Sequence, residues 1–324
     1  MPMSTDNVLS TQGLPQRLAG YELNEKLGEG GMSVVYLAKQ PSIERQVALK
    51  ILPPGRAALP DTRRRFLREG QLAGQINHTN VVTYHELREV KGWLFMALEF
   101  VDGGDLSGLL RDRGGYLPER FALGLARDIG CGLEACHRAG VVHRDLKPHN
   151  IFLTRDKIPK IADFSASQPS AAALQAEDGD RQAGLIIGSP SYMAPEQAEA
   201  GKYVGASADI YALGATLYHL LTGQPPFRGA NARETLKLLR TQPATDPRRF
   251  AKQKLKDSTC AILGKALTKK PEDRYHTARD MVEAIERALH EGGEIATPAG
   301  LPQQAQSRRA TDIDAVGDIR WSEF

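Results

Sequence analysis

Apolar and polar residues alternate over short runs in the first part of the chain. Within residues 21–101, several such runs rich in valine, leucine and aromatic residues predict β-strands. One segment, residues 61–76, instead carries apolar residues at a helical period, with Phe66, Leu67, Leu72 and Ile76 as its apolar stripe. The pattern therefore predicts a small antiparallel β lobe that contains one main helix.

The pattern changes after residue 102, where apolar residues recur at a helical spacing. The clear helices are predicted over residues 118–139, 207–221, 231–240, 257–267 and 277–290. Strands grouped in one part of a chain and helices in the next are typical of an α+β fold. We therefore predict a two-lobed α+β protein, in which a larger, mainly helical lobe follows the β lobe.

Both ends of the chain lack this periodicity. Residues 1–20 are polar and predict a flexible N-terminal arm. Residues 291–324 gain Gly, Pro, Gln and Ser, as in a disordered tail or a juxtamembrane-type linker. The predicted boundaries are then 21–101 for the small lobe and 102–290 for the large lobe.

The composition is that of an ordinary globular protein, since 41% of the 324 residues are hydrophobic and 25% are charged. The net charge of +3 is too small to predict nucleic-acid binding. Three cysteines without a Cys-x-x-Cys pair predict neither a disulfide framework nor a metal site. No apolar run has the length of a membrane span, and the N-terminus has no signal-peptide core. We therefore expect a cytoplasmic protein, or the cytosolic part of a longer membrane-anchored one.

A glycine-rich stretch, "LGEGGMSVVY", begins at Leu27 and contains Gly28, Gly30 and Gly31. It lies between two predicted strands, which argues against a dinucleotide fold, because the glycine-rich turn of that fold must open a helix. A glycine-rich hairpin can instead cover a polyphosphate, since its backbone N–H groups approach oxygens closely where no Cβ intervenes. The alternative at this point is an ordinary tight hairpin.

A lysine and a glutamate follow at a suggestive distance. Lys50 ends "VALK" on the next predicted strand, and a lysine ammonium suits the α and β phosphates of a nucleotide. Glu69 is the acidic residue of the following helix, "RRRFLREGQLAGQI", and can pair with a buried lysine. Taken alone, the two residues fit an exposed surface pair better.

The stretch "HRDLKPHN", residues 143–150, supplies the components of phosphoryl transfer. Asp145 can accept a proton from an attacking hydroxyl, and Lys147 can neutralise the transferring phosphate. Asn150 can offer an amide oxygen to a metal ion. A β-hairpin then leads to Asp163, whose carboxylate can bind Mg²⁺ that bridges phosphates.

Together these motifs resemble the eukaryotic-type (Hanks) protein kinase family, in particular its bacterial serine/threonine branch. The resemblance covers about residues 21–290 and includes "GSPSYMAPEQ", residues 188–197, which is similar to the substrate-docking loop. It implies that Asp209 holds the backbone of the catalytic loop and that Arg274 pairs with Glu196. It also implies a protein-kinase-like fold.

The resemblance further implies a set of site residues, with ATP and Mg²⁺ as cofactors and Mn²⁺ as an alternative ion. Asp145 and Lys147 would act in catalysis with the ion pair of Lys50 and Glu69, while Asn150 and Asp163 would hold the metal. Leu98 would be the gatekeeper. The residues expected to contact the nucleotide are Leu27, Gly28, Gly30, Gly31, Val35, Ala48, Lys50, Glu99, Val101, Asp105 and Phe152.

One residue departs from the family pattern, because Ser165 stands where the metal-binding triplet Asp-Phe-Gly has its glycine. Asp163 and Phe164 are retained, so the sequence favours an active serine/threonine kinase that also phosphorylates itself. The alternative is an ATP-binding pseudokinase scaffold. A small-molecule phosphotransferase is disfavoured, because such enzymes generally lack the docking loop and the Ala-Pro-Glu anchor.

The resemblance also implies partners. Protein substrates are expected, as is a reader protein with a forkhead-associated domain, whereas nucleic acid is not. Homodimers occur among related kinases, but no local feature of this chain demonstrates one. Nothing in the sequence identifies the substrate protein or the pathway.

A tail threonine is the site at which we predict autophosphorylation. Arg308 and Arg309 precede Thr311 at the spacing that basic-directed kinases favour, and Asp314 follows it by three residues. Phosphothreonine followed by Asp at the third position is similar to ligands of forkhead-associated domains, which would bind the phosphate through Arg or N–H groups. Mass spectrometry of the incubated enzyme should find Thr311 modified, and a phosphorylated 305–320 peptide should retain such a protein from lysate. The alternative, a solvated linker with an accidental match, predicts other labelled sites with Thr311 unmodified.

Overall fold

The structure, a computed structural model, describes residues 16–30, 32–169, 189–199 and 202–291. By their internal packing the described residues divide into two units. The first unit holds the residues up to Arg63 together with Glu86–Phe100. The second unit holds Arg64–His85 and the residues from Val101 onward.

A six-stranded sheet forms the framework of the first unit. Its strands lie in the order β1-β2-β3-β4-β6-β5, with these bounds: β1 Arg17–Leu18, β2 Tyr21–Glu29, β3 Val34–Gln40, β4 Arg45–Leu52, β5 Tyr84–Val90 and β6 Trp93–Glu99. Strand β1 falls inside the predicted flexible arm. Its Leu18 pairs with Tyr21 and is buried, so the arm prediction is wrong for these residues.

The two faces of this sheet have different roles. Side chains alternate between the faces along each strand. One face carries the hydrophobic cluster of the unit, formed by Leu18, Tyr21, Ala38, Val47, Leu49, Ile51, Phe95 and Ala97. The residues between them on β4 and β6 therefore project from the opposite face, and these include several of the predicted nucleotide contacts.

Helices dominate the second unit. The helices of the described chain are α1 Pro54–Ala57, α2 Pro60–Ala73, α3 Leu106–Asp112, α4 Glu119–Arg138, α5 Ala206–Thr222, α6 Ala232–Thr241, α7 Asp257–Ala266 and α8 Ala278–His290. Helices α4 to α8 lie within one or two residues of the predicted ones. Helix α3 was not predicted, because it is short and its N-cap, Asp105, was interpreted as a ligand contact.

Most of helix α2 belongs to the second unit, although the predicted small lobe, 21–101, included it. The physical reason is the hydrophobic core. Ala73, at the end of α2, and Ile76 lie in the same buried cluster as Val81 and Leu133. The backbone of this segment is also bonded there, since Ile161 N–H donates to the Asn80 carbonyl at 2.8 Å.

Helix α5 lies at the centre of the second unit. Nearly all of its residues are buried, as expected for a helix that is apolar on every side. It packs against α4 and α7, and at Gly214 the approach to α7 is so close that a Cβ would lie 2.7 Å from the Cβ of Ala266. The polar residues of this helix therefore have fixed positions.

Short strands frame the predicted catalytic segments. Strand β7 (Val141–Val142) pairs with β10 (Gln168–Pro169), and β8 (Ile151–Leu153) pairs with β9 (Pro159–Ile161). The stretch from His143 to Asn150 lies between β7 and β8, and Asp163 follows β9. Strand pairing therefore fixes both ends of each segment.

Candidate active site

In the first unit, the sheet gathers the predicted nucleotide-binding side chains on one face. Val35 pairs with Lys50, and Ala48 pairs with Leu98. Because cross-strand partners point to the same face, these four side chains lie together on the face opposite the hydrophobic cluster. Lys50 is only 3% exposed. A lysine that is so buried and belongs to an apolar sheet face is typical of a functional position.

The glycine-rich stretch forms the turn between β2 and β3. Gly28 pairs with Val35 after an irregularity in the strand register, and Gly30 N–H donates to the Ser33 carbonyl at 2.9 Å. Leu27, at this irregularity, is buried. Gly31 lies outside the described residues. Glu99, the last residue of β6, pairs with Val47.

In the second unit, the predicted base Asp145 is held by three neighbours. Its Oδ1 accepts the backbone N–H of Ser189 at 2.9 Å, and its Oδ2 lies 3.3 Å from both Lys147 Nζ and Asn150 Nδ2. Lys147 Nζ also donates to Ser189 Oγ at 3.0 Å. The base, the lysine and the first described residue of the docking segment therefore form one hydrogen-bonded group.

The backbone on either side of the base is fixed by Asp209 of helix α5. The Asp209 carboxylate accepts the N–H groups of His143 at 2.8 Å and Arg144 at 2.7 Å, and lies 2.8 Å from His137 Nε2. Burial alone would raise the pKa of Asp209, but the His137 hydrogen bond and the nearby charges bring it below its usual value. The predicted role of Asp209 is confirmed.

The predicted metal ligands are Asn150 and Asp163. Asn150 Nδ2 donates to the Asp145 carbonyl at 2.8 Å, so its amide oxygen points the other way and suits a hard cation. The Asn150 carbonyl accepts Ala162 N–H at 2.9 Å, which ties the two ligand segments together. Within the described residues, no cluster of three His, Cys, Asp or Glu side chains could hold a metal. Two predicted ligands with oxygen donors fit a hard divalent cation that takes its other ligands from outside the protein.

In the Asp163-Phe164-Ser165 triplet, the residue with the unusual backbone conformation is the aspartate. Asp163 has a φ of 59°, in the left-handed region, whereas Ser165 is not among the residues with positive φ. Ser165 is exposed, and its N–H donates to Asp163 Oδ1 at 3.3 Å. The serine Cβ therefore creates no left-handed strain in this loop.

Tyr84, which sequence reasoning missed, connects two predicted functional residues. Its hydroxyl donates to Glu69 Oε1 at 3.2 Å, and its ring meets the edge of Phe164 with 6.0 Å between centroids. Phe164 also contacts the His143 ring at 4.9 Å. Burial raises the pKa of Tyr84 well above its usual value, and the Glu69 and Asp163 charges add to this, so the hydroxyl remains a donor. A tyrosine in an apparent strand gave no sequence signal of this role.

The docking segment is anchored by a buried ion pair. Arg274 donates two bonds to Glu196, at 2.7 and 2.8 Å, and further bonds to the Thr268, Lys269 and Ser207 carbonyls. Arg274 is only 1% exposed. A buried charge pair is stable only when its remaining donors are also satisfied, as they are here. The predicted pairing of Glu196 with Arg274 is confirmed.

Three further predicted contacts lie near the start of the second unit. Asp105 caps helix α3, since its Oδ1 accepts Gly108 N–H at 2.6 Å, and it forms an isolated bridge with Phe152. Val101 and Phe152 are both buried. The capping bond gives Asp105 a structural role, and its contact with the ribose stays a prediction. The ion pair of Lys50 and Glu69 also stays a prediction, because the two residues belong to different units.

The comparisons with known proteins agree with this arrangement. The protein kinase domain matches residues 21–285. The chain is 36% identical over 284 residues to the serine/threonine-protein kinase PknB of Mycolicibacterium smegmatis, a match that covers 86% of this chain and 44% of that protein. It is 34% identical over 300 residues to PknE of Mycobacterium bovis, covering 90% and 48% of the two chains. With PknD of Mycobacterium tuberculosis it shares 33% over 321 residues, covering 93% and 47%.

The chain therefore belongs to the eukaryotic-type (Hanks) protein kinase family, as its motifs predicted. Within that family it is similar to the bacterial serine/threonine kinases named above. The chain spans about half the length of these curated relatives. In the part of the chain that the structure describes, no helix combines the length and the apolar character needed to cross a membrane.

The Tyr84 hydroxyl gives a testable prediction. Tyr84→Phe removes the hydroxyl that bonds Glu69, so it should lower the free energy of unfolding by about 1–2 kcal/mol and phosphoryl transfer by about three-fold or more. Tyr21→Phe is a matched control. Tyr21 donates to Glu86 at 2.8 Å and meets the edge of Phe95 at 5.9 Å, in the sheet core. Urea unfolding and peptide phosphorylation should show similar stability losses but an activity loss for Tyr84→Phe alone. Equal activity in the two variants would contradict the role of the Tyr84 hydroxyl in phosphoryl transfer.

Proposed function

We propose that the chain is an active serine/threonine protein kinase that transfers the γ-phosphate of ATP to protein hydroxyls and also phosphorylates itself. The observation that carries this proposal is the hydrogen-bonded group around Asp145. The Asp145 carboxylate lies 3.3 Å from the Lys147 ammonium and 2.9 Å from the Ser189 backbone nitrogen, and the ammonium lies 3.0 Å from the Ser189 hydroxyl. A base, a cation and a docking segment at one point are what transfer to a protein hydroxyl requires.

In the proposed reaction, Asp145 accepts the proton of the attacking serine or threonine hydroxyl. The hydroxyl oxygen forms a bond to the γ-phosphorus as the bond from that phosphorus to the ADP oxygen breaks. Lys147 stabilises the negative charge of the group in transit. Mg²⁺, held by Asn150 and Asp163, would neutralise charge on the phosphates when bound, and Mn²⁺ is an alternative ion.

The nucleotide is proposed to bind against the face of the sheet that carries Val35, Ala48 and Lys50. Lys50 would bind the α and β phosphates, with Glu69 as its ion-pair partner. The other proposed contacts are Leu27, Gly28, Gly30, Gly31, Glu99, Val101, Asp105 and Phe152. Leu98, which pairs with Ala48, would limit the depth of the adenine site.

The second candidate is an ATP-binding pseudokinase, which Ser165 alone favours. Three observations favour the active enzyme instead. Ser165 has no left-handed strain, the metal ligand Asp163 is retained, and Asp145 keeps its hydrogen-bond partners. Protein substrates are the proposed partners, with a forkhead-associated domain protein as reader of Thr311, which lies outside the described residues. A homodimer and attachment to a membrane through a longer chain remain alternatives.

The assignment of the base predicts the behaviour of two variants. Asp145→Asn removes the proton acceptor but keeps the shape, so transfer should fall by about 100-fold or more. Lys50→Met removes the phosphate-binding charge and should abolish transfer without unfolding the protein, as circular dichroism can verify. Label transfer from ATP in the presence of Mg²⁺ is the measurement. If the wild type binds ATP but transfers nothing, the scaffold is the correct function.

The backbone conformation of Ser165 predicts that replacing it with glycine has only a small effect on activity. Ser165→Gly should leave the kcat of transfer within about three-fold of wild type, because the backbone needs no glycine here and the added freedom costs about 1 kcal/mol at most. Asp163→Asn is the contrasting control, since it weakens a metal ligand and should nearly abolish transfer. Steady-state kinetics at several Mg²⁺ concentrations measures both. A gain of about 100-fold in Ser165→Gly would show that serine suppresses activity.

A further inference from the structure

Gln197 connects the docking segment with the loop that carries the base. It lies in the short helical turn Pro195–Ala198, directly after Glu196. Its Oε1 accepts the N–H of Ala194 at 3.0 Å, and its Nε2 donates to the carbonyl of Arg144 at 2.8 Å. A primary amide can accept and donate at the same time, which neither an apolar nor a carboxylate side chain can do.

The peptide that receives this bond is in an unusual conformation. Arg144 has a φ of 70°, a region that residues other than glycine rarely adopt. Such a conformation persists only where its surroundings hold it. The N–H of Arg144 is already bonded to Asp209 at 2.7 Å. Gln197 bonds the carbonyl, so both polar backbone groups of this residue are held by side chains.

The position of this carbonyl determines the position of the base. The Arg144 carbonyl belongs to the peptide bond that leads into Asp145. A rotation of that peptide would move the Asp145 carboxylate away from its 2.9 Å bond with Ser189 N–H. A displacement of about 1 Å at a reacting group can lower a rate by about 100-fold.

The turn that carries Gln197 is itself firmly anchored. Its neighbour Glu196 receives two bonds from Arg274, and Pro195 and Ala198 are buried. The amide of Gln197 therefore transmits the fixed position of the buried ion pair to the strained peptide. A surface glutamine could not do this, because its side chain would move freely.

We propose that Gln197 is a positioning residue for the catalytic base: its amide holds the Arg144 carbonyl and so keeps Asp145 oriented toward the acceptor hydroxyl. Gln197 contacts neither of the reacting groups. The inference rests on the proposed kinase function, and it adds a residue that links the substrate-docking segment to the base.

Two variants distinguish the bond from Gln197 to the Arg144 carbonyl, here called the bridge, from the bond that Gln197 accepts from the Ala194 N–H. Gln197→Glu keeps an oxygen for the Ala194 N–H but loses the donor to Arg144, and Gln197→Leu loses both. We expect both variants to lower kcat by about ten-fold or more, with KM for ATP within about two-fold of wild type. Hydrogen exchange at residues 143–146 should be faster in both, because the strained loop opens more often.

Gln253 provides a matched control. It also bridges two backbone groups, accepting Glu119 N–H at 3.0 Å and donating to the Leu117 carbonyl at 2.7 Å, away from the catalytic loop. Gln253→Glu and Gln253→Leu should lower Tm by about 2–4 °C, as the Gln197 variants do, with kcat unchanged. If the Gln253 variants lose as much kcat as the Gln197 variants, the effect is general destabilisation and the proposal fails.

The pH profile of Gln197→Glu distinguishes a positioning role from a merely structural one, which would not produce the profile expected here. The carboxylate that this substitution introduces repels the Arg144 carbonyl when it is ionised, whereas its protonated form can donate to that carbonyl. Because an ordinary glutamate has a pKa of about 4.3, the kcat of Gln197→Glu relative to wild type should therefore rise as pH falls from about 7 to about 5. A constant ratio, or kcat within about two-fold of wild type, overturns the proposal. If wild type transfers no phosphate, the kinase function fails instead, while unchanged hydrogen exchange in the variants would independently refute the bridge.

Discussion

The buried carboxylate of Asp209 is the interaction on which the rest of the site depends. It is fully buried, and it receives the N–H groups of His143 and Arg144 together with a bond to His137. Removal of these donors would leave an unpaired charge in the core, at a cost of about 3–5 kcal/mol. The catalytic loop and helix α5 therefore stabilise each other. Because α5 is packed on every side, the loop has a rigid support.

Further hydrogen bonds connect the catalytic loop with the docking segment. Arg144 is bonded by Asp209 at its N–H and by Gln197 at its carbonyl, and Glu196 beside Gln197 is bonded to Arg274. Many kinases order this region through a phosphorylated residue. Residues 171–188 of this chain contain no serine, threonine or tyrosine. In the described structure, direct bonds between the docking segment and the catalytic loop hold this region.

The sequence was most informative where functional residues follow one another closely. Asp145, Lys147 and Asn150 lie in one stretch, so their types and spacing predicted the chemistry that we propose for them, and the helices α4 to α8 followed from apolar periodicity. Tyr84, Ser189 and Gln197 contact partners 15 to 53 residues away along the chain. No local pattern marks such contacts. Strand β1 was missed for a similar reason, since two residues form no alternation and are held by pairing.

The serine of Asp-Phe-Ser shows how position in a backbone decides the effect of a substitution. A glycine is favoured where φ is positive and is required where a Cβ would clash. In this triplet the residue with positive φ is Asp163. Its position is fixed by the β8–β9 hairpin, which ends two residues before it. Its carboxylate accepts the N–H of Ser165. Phe164 is held between Tyr84 and His143. In a loop secured by these neighbours, serine occupies the position without left-handed backbone strain, and Asp163 and Phe164 are both retained.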